Sequence, residues 1–228
     1  AAQLRSLHDS HGCDYEFCAT IAAVIEQLPE EDRGNKLLKV ERHIWPGKFL
    51  DADVPCFIVP IKAEWALHLF DSVIGNQDLL GASELVFNRE LVYYRSKRPG
   101  VLRAPGRILW YVSSNVGYEG TGQIRACSYI DEVTTGKPKE LFKKYRRLGV
   151  YQWKNVFDTA KNDLDQEIMA VTFSDTHQLE HPLDWKTFQK ILVHHSVKTN
   201  LQSPVAIGTG VFNEIYLKSM KARGVSNA

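Results

Sequence analysis

Residues 107–113 (Arg-Ile-Leu-Trp-Tyr-Val-Ser) place Ile108, Trp110 and Val112 on one side of an extended chain and Leu109, Tyr111 and Ser113 on the other. A run that is apolar on both sides belongs inside a barrel or between two layers. A polar insert bearing Gly117, Gly120 and Gly122 follows, and then a second β-rich run over 123–133. The pair predicts two strands joined by a long hairpin loop, at the centre of a compact β-structure.

The rest of the chain arranges itself around that hairpin. Phe17, Ile21, Val24 or Ile25, and Leu28 recur at helical spacing up to Pro29, predicting an amphipathic helix over 14–28. Residues 37–47 close on a Pro46-Gly47 turn, which completes an N-terminal helical part without evident chemistry. Residues 57–61 read as a buried strand with Pro60 near its end, turning at once into a helix over 63–70. After an irregular stretch, the run 87–95 leads through a basic loop into the hairpin. Downstream, the pattern predicts a short basic helix over 138–147 and a strand over 168–173. A helix entered through Pro182 and Asp184 follows, with Trp185, Phe188, Ile191 and Leu192 as its buried stripe. A short strand over 201–207 and a closing helix over 210–220 end the pattern, with no internal repeat.

Composition adds bounds. The chain has 228 residues, 44% of them hydrophobic, which suits one large domain or a small domain with an attached module. Its longest apolar runs fall far short of the roughly 20 residues a membrane span needs. No basic-then-apolar leader opens the sequence, so the expectation is a cytoplasmic protein, and the missing initiator Met points to a piece of something longer. Cys13, Cys18, Cys56 and Cys127 form no CxxC pair and read as reduced thiols. His8, His11, Cys13 and Cys18 can be drawn as a zinc set, but their spacing fits no finger, and no metal or other cofactor is expected. The net charge of +1 hides an asymmetry: residues 95–154 carry thirteen basic side chains, Arg107 among them, against four acidic ones. Such a local excess is what a polyanion-binding face needs, whereas a solvated face balanced in space by the acidic N-terminal part is the bland alternative.

The order of elements, with its core hairpin, its corner helix after residues 57–61 and its Gln202-Ser203-Pro204-Val205 strand before the last helix, resembles the PUA-like superfamily, in particular its EVE, YTH and ASCH branches. The likeness spans roughly residues 55–218 and is similar to modules found in acetyltransferase-containing bacterial chains. It implies an α+β domain over 54–228, a PUA-like mixed β-barrel with flanking helices, preceded by an N-terminal helical extension over 1–53. It also implies a concave pocket for a nucleobase, often a modified one, in RNA or flipped from DNA. A base that enters such a pocket loses stacking worth a few kcal/mol, which aromatic faces and edge hydrogen bonds replace. Trp65, Tyr93, Tyr94, Trp110 and Tyr111 would supply faces, and Lys62, Asn88, Ser113, Gln202 and Ser203 would read edges. Arg95, Arg98, Arg103, Lys143, Arg146 and Arg147 would hold phosphates. Trp110 and Trp65 compete for roles in the core, and Ser113 and Ser203 for roles as strand ends.

Other motifs drop away. Gly120-Thr-Gly122 and Gly208-Thr-Gly210 lack the spacing of a phosphate loop, no HExxH or serine elbow is present, and His194-His195 have no sequence partner at useful spacing. Some ASCH domains resemble hydrolases of acylated nucleobases that use a lysine, a threonine and a glutamate. Lys62 and Glu64 sit at the matching corner, where burial would make Lys62 a base or nucleophile, and no threonine can be assigned. A binding module without chemistry is the expectation. The alternatives are such an amidohydrolase, or a protein-interaction module serving an acetyltransferase or toxin partner or a missing upstream domain.

Overall fold

The computed structural model describes residues 27–45, 47–50, 52–69 and 89–220, together with Thr20, Ala23 and Val24. Most of the helix expected over 14–28 and the irregular stretch after Leu69 therefore lie outside the described residues, as do the zinc-like His8, His11, Cys13 and Cys18.

The elements in order are α1 (Glu30–His43), β1 (Cys56–Ile61), α2 (Ala63–Leu69), β2 (Glu90–Ser96), β3 (Gly106–Val112), β4 (Gln123–Gly136), α3 (Pro138–Tyr145), α4 (Trp153–Thr159), β5 (Ile168–Asp184), α5 (Trp185–His194), β6 (Val205–Ile207) and α6 (Thr209–Met220). All seven residues of β3 are buried, as its two apolar faces predict. It pairs antiparallel with β4 and parallel with β1, and the whole sheet runs β2-β5-β4-β3-β1-β6. The odd positions of β1 and the even positions of β3, Phe57, Val59, Ile61, Ile108, Trp110 and Val112, face one core, which α2, α3 and α4 cover with Ala66, Leu141 and Val156. Cys56, Ile58, Leu109 and Tyr111 face a second core under Leu38 of α1, Phe188 of α5 and Phe212 of α6. A central strand with helices on both sides must be apolar on both sides.

The barrel expectation is corrected: the sheet is open, with β2 and β6 as separate edges. Its curvature comes from length and irregularity. β4 and β5 run for 14 and 17 residues, and their ladder shifts register at three places, where bulges bend the strands instead of closing a cylinder. The second half also departs from the expected boundaries. β5 runs on through His181 and Pro182, so α5 starts only at Trp185, with Asp184 accepting from the Thr187 N–H as its N-cap. The helix α4 goes unannounced by its hydrophobic pattern, and the expected strand over 201–207 shortens to three residues. Gly120 and Gly122 adopt φ of +67° and +72°, which the turn of the hairpin loop requires and glycine accommodates without strain.

Arg107 needs a second correction. It is fully buried and ion-paired with the equally buried Glu41 of α1, so it leaves the basic face to which the charge count assigned it. Lys97, Lys137 and Lys144 pair with Glu167, Asp165 and Glu132. The last pair, with the Tyr145 hydroxyl donating to Glu132 at 2.7 Å, pins the basic helix α3 to β4. Hydrogen bonds from Lys144 and then Tyr145 pull the Glu132 carboxyl down from 4.5 to about 2. Because the folded value is the lower one, this stabilisation is complete above pH 4.5 and is lost as the pH falls towards 2. The side chain is 49% exposed, so the effect is about 1 kcal/mol or less. Urea titrations of Glu132→Gln should accordingly show a flatter fall in stability over that acid range than the parent chain.

Candidate nucleic-acid interface

The strand-to-helix corner after β1 opens into a cleft of about 430 Å³, a size that suits a small planar ligand. Pro60 comes from the end of β1, Lys62 from the turn after it, and Trp65 from the first turn of α2. Tyr93, Tyr94 and Arg95 come from the edge strand β2, Asn155, Asp158 and Thr159 from α4, and Gln202 and Pro204 from the segment before β6. Each element reaches the cleft for a local reason. Pro60 is the one residue of β1 that is not fully buried, and Ala63 and Ala66 press α2 against the sheet, which leaves Trp65 half-exposed between them. The helix α4 is set by a reciprocal cap, Gln152 and Asn155, which turns Asp158 and Thr159 outward.

The walls combine aromatic faces with two cations, Lys62 and Arg95, and two carboxylates, Glu64 and Asp158. The Trp65 ring lies 4.4 Å from that of Tyr151 at 32°, and Tyr151 in turn meets Tyr94 edge-on at 5.2 Å. Tyr93 stands perpendicular to Trp110 at 5.6 Å and donates its hydroxyl to the Pro60 carbonyl at 3.5 Å. Burial pushes that hydroxyl up to about 12, so it acts as a neutral donor near pH 7. The Arg95 guanidinium donates to the carbonyls of Pro99 at 3.2 Å and Arg98 at 3.3 Å, which fixes it in place. Partial burial lowers its pKa, and no carboxylate among the described residues pairs with it. A held, half-buried cation in an aromatic cleft is a site for an anionic group beside a ring.

Of the pocket residues expected from sequence, Lys62, Trp65, Tyr93 and Gln202 meet in this cleft with Arg95, and Tyr94 joins them. Trp110 does not line it: its ring is fully buried against Phe173, and its N–H donates to Ser128 at 2.7 Å. Tyr111 lies on the opposite face of the sheet, against Trp185 and Phe188. Ser113 donates its backbone N–H to Ile61 and leaves its side chain outside the cleft, Ser203 is half-buried between two lining residues, and Asn88 is outside the described residues. Lys62 is 76% exposed with Glu64 3.7 Å away, so it lacks the burial that a base or nucleophile role presupposes. Arg98, Arg103, Lys143, Arg146 and Arg147 are all exposed, and none forms an ion pair among the described residues. The contribution of α4 was missed; the Gln152–Asn155 capping pair was its one readable sign.

A second cleft, of about 440 Å³, lies between α1 and β4, but its main charges, Arg42 and Asp131, are already paired with each other. Among the described residues, no helix is long and apolar enough to cross a membrane.

No family model and no curated protein matches the sequence. Solved structures do. A serine-to-alanine variant of the ASCH protein from Zymomonas mobilis is 15% identical, with a TM-score of 0.53 over 75% of this chain and 99% of that one. A tyrosine-to-phenylalanine variant of the same protein is 14% identical, with a TM-score of 0.51 over 70% and 95%. The unmodified protein, also 14% identical, gives 0.50 over 70% and 92%. The likeness is one of fold: this chain's architecture is similar to that of the Zymomonas mobilis ASCH protein.

Proposed function

We propose, from an ASCH-type fold, that the chain is a nucleic-acid-binding module that takes a nucleobase, in its finer form a modified one, into the cleft of Trp65, Tyr93 and Arg95. The observation that carries the reading is the guanidinium of Arg95, held by two carbonyls without an acidic partner among the described residues, beside aromatic faces in a cleft of suitable size. A base stacked on Trp65 would present its edge to Gln202 and to the Tyr93 hydroxyl, and its phosphate to Arg95. Arg98, Arg103, Lys143, Arg146 and Arg147 would hold the flanking backbone. The cleft reads the base and the exposed cations supply attraction without sequence preference, so the two functions are separable by mutation. An Arg146→Ala/Arg147→Ala double variant should weaken binding to all oligonucleotides alike and make the salt dependence shallower by about two in slope, as read by titration at several salt concentrations. Unchanged affinity and slope would remove the α3 region from the interface.

A further inference from the structure

We propose that His194, His195 and Glu214 form a binding site for a divalent transition ion of the zinc class, which ties the end of α5 to α6. The partner that the adjacent histidines lack in sequence is supplied by the fold: α6 packs against α5 and brings Glu214 within reach of both rings. His195 Nε2 lies 2.9 Å and His194 Nδ1 3.4 Å from the same Glu214 oxygen, Oε2, and the three ligand atoms all fall within 4.8 Å of one another. Zinc bound at about 2.0–2.2 Å by imidazole nitrogen and carboxylate oxygen sets tetrahedral ligand separations of about 3.3 Å, so the three groups need only small side-chain rotations to surround one ion.

The surroundings support the same chemistry. Lys218 donates to the other carboxylate oxygen, Oε1, at 2.7 Å, which holds Oε2 towards the imidazoles as an outer partner of a metal ligand does. His194 is 75% exposed while His195 and Glu214 are about a quarter exposed, so an ion has an open path from solvent and keeps a fourth position for water. Two imidazoles and one carboxylate favour zinc, cobalt(II), nickel or copper over magnesium and calcium. The ammonium of Lys218, paired with Glu214, repels the bound ion and weakens its binding. Because the ligands come from two helices, binding adds stability to the folded chain in proportion to the logarithm of ion concentration.

The test is calorimetric titration of the chelator-treated full chain with zinc chloride, with thermal unfolding followed in parallel and cobalt(II) as a visible probe. The expected result is one ion per chain, a rise in Tm with zinc, and tetrahedral cobalt bands. His195→Ala and Glu214→Gln should each lose at least about tenfold in affinity. His194→Ala alters a side chain that is mostly exposed, so its loss of binding cannot be assigned to misfolding. A dissociation constant no better than about 1 mM overturns the assignment. So does equal binding by all three variants, which would place the ion at other histidines or cysteines.

Discussion

Arg107→Met should be the most destabilising single substitution, because it leaves the buried Glu41 carboxylate without its ion-pair partner. Both side chains are fully buried. Glu41 accepts the Phe49 N–H at 2.7 Å and the Tyr129 hydroxyl at 2.9 Å, and Tyr129 in turn accepts from the buried ammonium of Lys48 at 2.6 Å. Arg107 also donates to the Phe49 carbonyl at 2.8 Å. Burial and then the Arg107 charge lower the Lys48 pKa, while Cys127 and Glu41 oppose this, so loss of order here affects several charges at once. Breaking a buried pair from one side costs about 3–5 kcal/mol, a large share of the about 5–15 kcal/mol that holds a typical domain. Urea unfolding followed by circular dichroism should show the midpoint fall accordingly. The double change Glu41→Met/Arg107→Met should recover part of the loss, since apolar replacements of a buried pair are often neutral but here the Phe49 N–H and the Tyr129 hydroxyl also lose their acceptor. A single variant as stable as the parent would show that the pair does not fasten α1 to the sheet.

Trp65→Ala should have the largest effect on binding. Stacking on an aromatic side chain is worth about 1–3 kcal/mol per base, so affinity for the preferred oligonucleotide should fall by about 5- to 150-fold. Trp65→Phe, which keeps a face for the base and for Tyr151, should retain most of it. The ring is only half-buried, so circular dichroism should report an intact fold, and a fall in affinity with no loss of preference between bases would take Trp65 out of the reading role.

Much of the fold was legible where one local signal decided the matter. The doubly apolar run at 107–113 could only be a central strand, and Pro138 and Gly210 lie at or one residue inside the starts of their helices. The errors fall where distant contacts decide. Nothing near Arg107 in sequence announces Glu41, sixty-six residues away, so a core ion pair was counted as surface charge. Residues 174–184 read as loop and helix entrance because His181 and Pro182 interrupt the alternation, yet pairing with β4 extends the strand through them. In the candidate site, the corner of Lys62 and Trp65 and the edge tyrosine Tyr93 were found from a resemblance and their residue types. Trp110 and Tyr111 show the limit of that argument: a strand with two cores offers its aromatic residues to the interior before any ligand. Asp158 and Thr159 were out of reach because they depend on a helix set by a cap and not by a hydrophobic stripe.

The central claim is that one cleft reads a base while the exposed cations hold the backbone. Fluorescence anisotropy tests it most directly, with labelled single- and double-stranded RNA and DNA, with and without methylated bases, at two salt concentrations, for the parent chain and Trp65→Ala. The account predicts salt-sensitive binding that favours one base or modification, with that preference lost in the variant. Absence of binding to every oligonucleotide at low salt, or a preference that survives Trp65→Ala unchanged, would contradict it.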